Sequence, residues 1–155
     1  MHLEDLDDRD LAILKALQKD GRLTNASLAE TVNLSPSACL RRVNALEESG
    51  LIARYVMLLN EKIAGFPGAA FVSVTLDQQG RQTLDQFEAA VERHPEILEC
   101  HLLAGAADYL VRIAYRDTSD FERIHRDILT QLPGVYRVQS TMSLRTVKKT
   151  TALPI

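Results

Sequence analysis

The sequence predicts an α+β protein in two parts, a helical first third followed by a β-rich remainder. Three observations carry that reading. Apolar residues recur at helical spacing up to Gly50, the segment Gly65-Phe66-Pro67-Gly68 breaks the pattern, and beyond it the spacing becomes alternating in the order β-α-β-β-α-β. With 155 residues, 46% of them hydrophobic and 25% charged, the chain has room for two small cores if each is compact.

The helices follow in order. Asp7 is placed to cap the first, whose Leu11, Ile13, Leu14 and Leu17 form an apolar stripe, with Asp8 and Asp10 complementing the positive end of its dipole. Thr24 caps a second helix that turns Leu28, Ala29 and Val32 inward, and Ala29 leaves room for a helix crossing. Ser35 then caps a third, and Pro36 takes its first position, where the missing N–H costs nothing. At about 100° per residue, Cys39, Leu40, Val43 and Leu46 gather on one face to pack, leaving Ser37, Ala38, Arg41, Arg42 and Ala45 on the other. Gly50 serves as a C-cap, and Leu51 to Leu58, rich in β-formers, reads as the strand of a wing or linker.

Two short helices joined by a tight turn, the second with a fixed start and an apolar back, form a helix-turn-helix, and its expected partner is double-stranded DNA. An arginine pair alone is most often solvated surface. Here short side chains near the helix start allow close approach to base edges, and two guanidiniums suit guanine or phosphate oxygens. Ser37, Ala38, Arg41 and Arg42 are the expected readers, with Ser35 and Arg54 helping to position the DNA backbone.

A net charge of −3 excludes coating of nucleic acid by bulk electrostatics, so DNA affinity must come from a local positive face. No apolar run approaches the roughly 20 residues of a membrane span, and the start Met1-His2-Leu3-Glu4-Asp5 lacks the basic residues of a signal peptide, so the expected location is the cytoplasm. Cys39 and Cys100 read as reduced structural thiols, and His2, His94, His101 and His125 show no ligand spacing. No metal site, cofactor or catalytic constellation is expected, and the chain does not read as an enzyme.

In the second part, Phe71 to Leu76 alternates as a strand, and Leu84, Phe87 and Val91 repeat at helical spacing until His94-Pro95. Ile97 to Leu103 and Tyr109 to Tyr115 are strands joined by a short connection. Phe121, Ile124, His125, Ile128 and Leu132 mark a helix ending at Pro133-Gly134, and Val135 to Leu144 returns to strand. That order is the split βαβ arrangement of ferredoxin-like type. Both sheet faces carry apolar groups, which points to self-association of the uncovered face; cover by the linker and tail is the alternative. In the loop Gly105-Ala106-Ala107-Asp108, glycine permits close approach of a ligand, successive N–H groups could receive a carboxylate, and Asp108 could pair with an ammonium. Those are the two ends of an amino acid, although the same residues also suit a plain glycine turn with an exposed aspartate.

The whole pattern resembles the Lrp/AsnC family of transcription regulators. The resemblance is carried by Leu6-Asp7-Asp8-Arg9-Asp10-Leu11-Ala12-Ile13-Leu14, Asp20-Gly21-Arg22, Leu34-Ser35-Pro36-Ser37, Arg41-Arg42-Val43 and Leu46-Glu47-Glu48-Ser49-Gly50-Leu51-Ile52. In the second half it rests on Gly105-Ala106-Ala107-Asp108-Tyr109-Leu110-Val111 and Leu132-Pro133-Gly134-Val135. It implies a winged helix-turn-helix over residues 1–55, a linker over 56–68, and a ferredoxin-like effector domain of RAM/ACT type over 69–155. It further implies homodimers that assemble into octamers, and an amino acid or related metabolite as effector. The effector would lie between subunits near Gly105, Ala106, Ala107 and Asp108, with Ser140, Thr141 and Met142 contributing. Asn33 stands where the family often has glycine, and it tolerates the left-handed conformation that the turn needs. Two rival functions fit the same residues: an amino-acid-binding sensor or enzyme subunit acting through protein partners, and a ligand-independent architectural DNA protein.

Overall fold

The computed structural model describes residues 3–155, so Met1 and His2 of the acidic N-terminus lie outside the described residues. The chain divides into two compact units, one made of residues up to Leu58 together with Lys148–Ile155, the other of Leu59–Val147.

Among the described residues, the first unit holds three α-helices: α1 (Asp8–Lys19), α2 (Asn25–Thr31) and α3 (Pro36–Glu48). Each starts where a side chain caps it. Asp7 accepts the N–H groups of Arg9 and Asp10, Thr24 that of Ser27, and Ser35 that of Ala38. These bonds satisfy donors that a helix start leaves open, contributing about 1 kcal/mol per cap. Ile13, Leu14, Leu28, Ala29, Val32, Cys39 and Leu46 are buried together as one core, with Ala29 at 1% exposure where α2 and α3 pack. Asn33 takes φ +54° in the turn between them, as its tolerance of left-handed backbone allows.

Two expectations for this unit need correction. Leu51 to Leu58 forms no strand. β-forming side chains make a strand only when another backbone completes the ladder, and the described residues offer this segment none. Tyr55, Val56, Met57 and Leu58 are instead exposed in succession. The tail, expected with the second domain, packs here: Ile155 joins the helical core, and Gln18 Nε2 donates to the Leu153 carbonyl at 3.2 Å while its Oε1 accepts the Leu153 N–H.

The second unit holds β1 (Gly68–Leu76), α4 (Arg81–Val91), β2 (Ile97–Leu102), β3 (Tyr109–Tyr115), α5 (Thr118–Asp127) and β4 (Val135–Met142). The strands form one antiparallel sheet in the order β2-β3-β1-β4, the ferredoxin-like topology. Ala70, Val72, Val74 and Leu76 of β1 and Tyr109, Val111 and Ile113 of β3 point to the same face, where Phe87, Val91, Ile124 and Leu129 bury them. Phe87 and Tyr109 lie with ring centroids 4.4 Å apart at the centre of this core. The opposite face carries Phe71, at 42% exposure, Leu110 and Arg112. Arg112 donates to Glu61 Oε1 at 2.8 Å, so the segment after Leu58 covers part of that face.

Candidate DNA and effector sites

Helix α3 carries the residues that the sequence assigns to DNA reading, and its two faces are sorted by geometry rather than by hydropathy. Cys39, Val43 and Leu46 face the core at spacings of four and three residues. Arg42 falls within that inward set at helical spacing, and its guanidinium turns back to α1. Nη1 lies 2.7 Å from Asp10 Oδ1 and 2.8 Å from Asp7 Oδ2. Hydrogen bonds to Asp10 and then Asp7 raise the Arg42 pKa above its ordinary value. The Asp7 pKa is lowered, chiefly by the Asp10 N–H that it caps, which outweighs the opposing effect of burial, and further by Arg42. The Arg42 side chain is only 24% exposed.

This pairing corrects the expectation that Arg41 and Arg42 form one reading face. Leu40, expected inside, is 49% exposed, so the two residues have exchanged sides. The reason is angular. An inward stripe at positions 39, 42, 43 and 46 follows the helical repeat, whereas position 40 lies about 100° from position 39. The exposed face therefore presents Ser37, Leu40, Arg41 and Asn44, again at helical spacing, with Ala45 beside them and Ala38 half-buried at the margin.

The start of α3 is fixed from two sides. Ser35 Oγ accepts the Ala38 N–H at 3.3 Å, and Asn25 Nδ2 donates to the Pro36 carbonyl at 2.8 Å. Across the unit, Arg9 Nη1 donates to the Val32 carbonyl at 2.6 Å, so the first turn of α1 holds the end of α2 as well as Arg42 of α3. Arg54 is exposed in the extended segment after Ile52. Tyr55, next to it, donates to Glu47 Oε1 at 2.9 Å, and burial followed by that carboxylate pushes its pKa up to about 12.

In the second unit, the loop between β2 and β3 exposes Ala104, Gly105 and Ala106, and a side chain at Gly105 would meet open space. Asp108 is not the exposed aspartate of a plain glycine turn. It is 8% exposed, its Oδ2 accepts the Leu76 N–H at 2.7 Å, and its Oδ1 accepts Gln79 Nε2 at 2.7 Å. Its carboxylate joins the loop to the end of β1. Ser140, Thr141 and Met142 pair with Val72, Phe71 and Ala70. The loop meets β1 at Val74 through the Asp108 N–H, so Met142 lies about 13 Å further along the strand direction. One chain thus does not bring the loop and these three residues together. Ser140 Oγ is buried without a hydrogen-bond partner among the described residues.

With both geometries in view, the likeness to known proteins is direct. The model described as winged helix-turn-helix DNA-binding matches residues 6–53, and the one described as Lrp/AsnC ligand binding domain matches residues 69–153. The chain belongs to the Lrp/AsnC family. The leucine-responsive regulatory protein of Salmonella typhimurium is 40% identical over 152 residues, covering 98% of this chain and 93% of that protein. An HTH-type transcriptional regulator of Sinorhizobium fredii is 45% identical over 116 residues, covering 75% of this chain and 91% of that protein. Among solved structures, a transcriptional regulator of Neisseria meningitidis in complex with L-Met superposes with a TM-score of 0.92 at 39% identity, covering 96% of each chain. This Lrp/AsnC chain is thus a transcriptional regulator with a DNA-binding unit and a ligand-binding unit, and its family is one of regulators rather than enzymes.

For an Lrp/AsnC regulator, several of the residues that organise the reading unit left no local signal in the sequence. Asp10 and Arg42 are 32 positions apart, and Asn25 and Pro36 are 11 apart. Among the described residues, no helix is long and apolar enough to cross a membrane, and no cluster of His, Cys, Asp or Glu could hold a metal ion.

Proposed function

We propose that this chain acts as a homo-oligomeric, amino-acid-responsive regulator that reads double-stranded DNA with α3. The observation that carries the reading is a recognition helix with a fixed start and a free face: Ser35 caps it, Pro36 opens it, and Ser37 and Arg41 stand exposed on it. Ser37, Ala38 and Arg41 approach the base edges, while Ser35 and Arg54 hold the phosphate backbone. Arg42 keeps the helix in place from behind.

Self-association supplies the second reading helix that a two-fold operator requires. The exposed run Tyr55 to Leu59 and the open sheet face around Phe71 support a homodimer, because both present apolar surface or unpaired backbone that a second copy could complete. Assembly to octamers repeats the same logic. The effector is an amino acid, with methionine a first candidate given the L-Met complex of the Neisseria relative. It lies between subunits, where the loop Gly105-Ala106-Ala107 of one copy and Ser140, Thr141 and Met142 of another are within reach of a single small molecule. The site of action is the cytoplasm.

Effector binding then shifts the population of assemblies, and with it the separation of the paired helices. The reading is tested by gel retardation with a DNA duplex selected by the full-length protein. Arg41→Ala should weaken binding and lower the dependence on salt by about one phosphate contact if Arg41 holds phosphate, or cost about 1–3 kcal/mol if it grips guanine. Binding that is unchanged in both respects would remove α3 from the DNA.

A further inference from the structure

The exposed face of α3 contains one residue that neither charge nor hydrogen bonding explains. Leu40 is 49% exposed, stands between Ser37 and Arg41 at helical spacing, and has Asn44 one turn beyond it. A helix that buries Cys39 and Leu46 and packs Val43 against the same core has already assigned its apolar stripe, so Leu40 contributes little to packing within the unit. The other large exposed apolar side chains of this unit lie mainly in the extended run Tyr55 to Leu58 and in the tail, away from α3 in the chain. Its neighbours on the outward face, Ser37, Arg41 and Asn44, are polar or cationic.

We propose that Leu40 is a specificity-determining residue that reads the 5-methyl group of a thymine in the major groove. The inference rests on the reading above that α3 enters that groove. Major-groove base edges offer one apolar feature, the thymine methyl, and a branched aliphatic side chain is suited to cover it. Arg41 brings positive charge to the same strip of helix, holding the leucine against the duplex. With Arg42 turned back to Asp7 and Asp10, the outward face of α3 is left to Leu40 and Arg41, with Ser37 and Asn44 a turn to either side.

The test removes the methyl group alone. The full-length protein selects its preferred duplex from a random library, and each thymine of that duplex is replaced in turn by deoxyuridine. At one thymine per half-site the replacement should weaken wild-type binding about fourfold, the value of one buried methyl group. The same replacement should leave binding by Leu40→Ala unchanged, while Leu40→Ala binds the unmodified duplex more weakly by the same factor. If no thymine is sensitive, or if sensitivity persists undiminished in Leu40→Ala, the proposal is overturned while DNA reading by α3 stands. Failure to select any preferred sequence overturns both.

Discussion

Asp108 and Leu76 are joined by a 2.7 Å hydrogen bond, from the Leu76 N–H to Asp108 Oδ2, that ties the β2–β3 loop to the end of β1. A buried carboxylate with both oxygens occupied is a structural fastening. Asp108→Ala should therefore destabilise the protein by about 1–3 kcal/mol, because it leaves the Leu76 N–H without an acceptor. Asp108→Asn keeps one acceptor oxygen and should lose less. Denaturant unfolding of the two variants separates the effects.

Gly105 is the better probe of the ligand site. Since a Cβ there meets open space, Gly105→Ala should stay within about 0.5 kcal/mol of the native stability. If an amino acid approaches this backbone closely, the thermal shift produced by methionine should nonetheless fall. A shift equal to that of the native protein would place the ligand elsewhere.

At the start of α5, Asp120 is gripped by Arg116 and Arg123, with Oδ1 at 2.9 Å from Arg123 Nη2 and Oδ2 accepting the Arg116 N–H at 3.0 Å. Bonds to the Arg116 side chain and backbone hold its carboxyl well below the ordinary value of 3.8. Since the folded pKa is the lower one, the stabilisation is complete above the unfolded value and is lost as pH falls below about 5. Asp120→Asn should melt at a lower temperature at pH 7, and its melting temperature should fall less steeply than the native protein's between pH 5 and pH 3.

The turn at Asn33 gives a backbone test. At φ +54° a β-branched side chain is strained, so Asn33→Val should cost about 1–2 kcal/mol, while Asn33→Gly should be close to neutral. Thermal unfolding of the two variants reads the difference.

What the sequence made legible was what neighbouring residues decide between themselves. The caps Asp7, Thr24 and Ser35, the start at Pro36 and the alternation of β1 depend on positions a few residues apart, and the structure has them as expected. Hydropathy alone puts Leu40 inside and Arg42 outside, and the structure reverses both. An arginine can face inward when two carboxylates wait for it from another helix, and no local pattern announces that. The fastening at Asp108 is equally silent in the local sequence, since its partners Leu76 and Gln79 are 32 and 29 positions away. The segment Leu51 to Leu58 carries strand residues without a strand because pairing takes a second backbone.

The return of residues 148–155 to the helical unit alters what counts as its beginning and end. Its three helices come from the first fifty residues, yet Ile155 packs on their core and Leu153 is held by Gln18 at 3.2 Å. The ligand-binding unit is therefore an insertion within the DNA-binding unit, spliced between Leu58 and Lys148. A fragment cut after Leu58 contains every helix of the reading unit and still lacks a piece of its wall. Of the two units, the one that begins first in the sequence is the one that closes last.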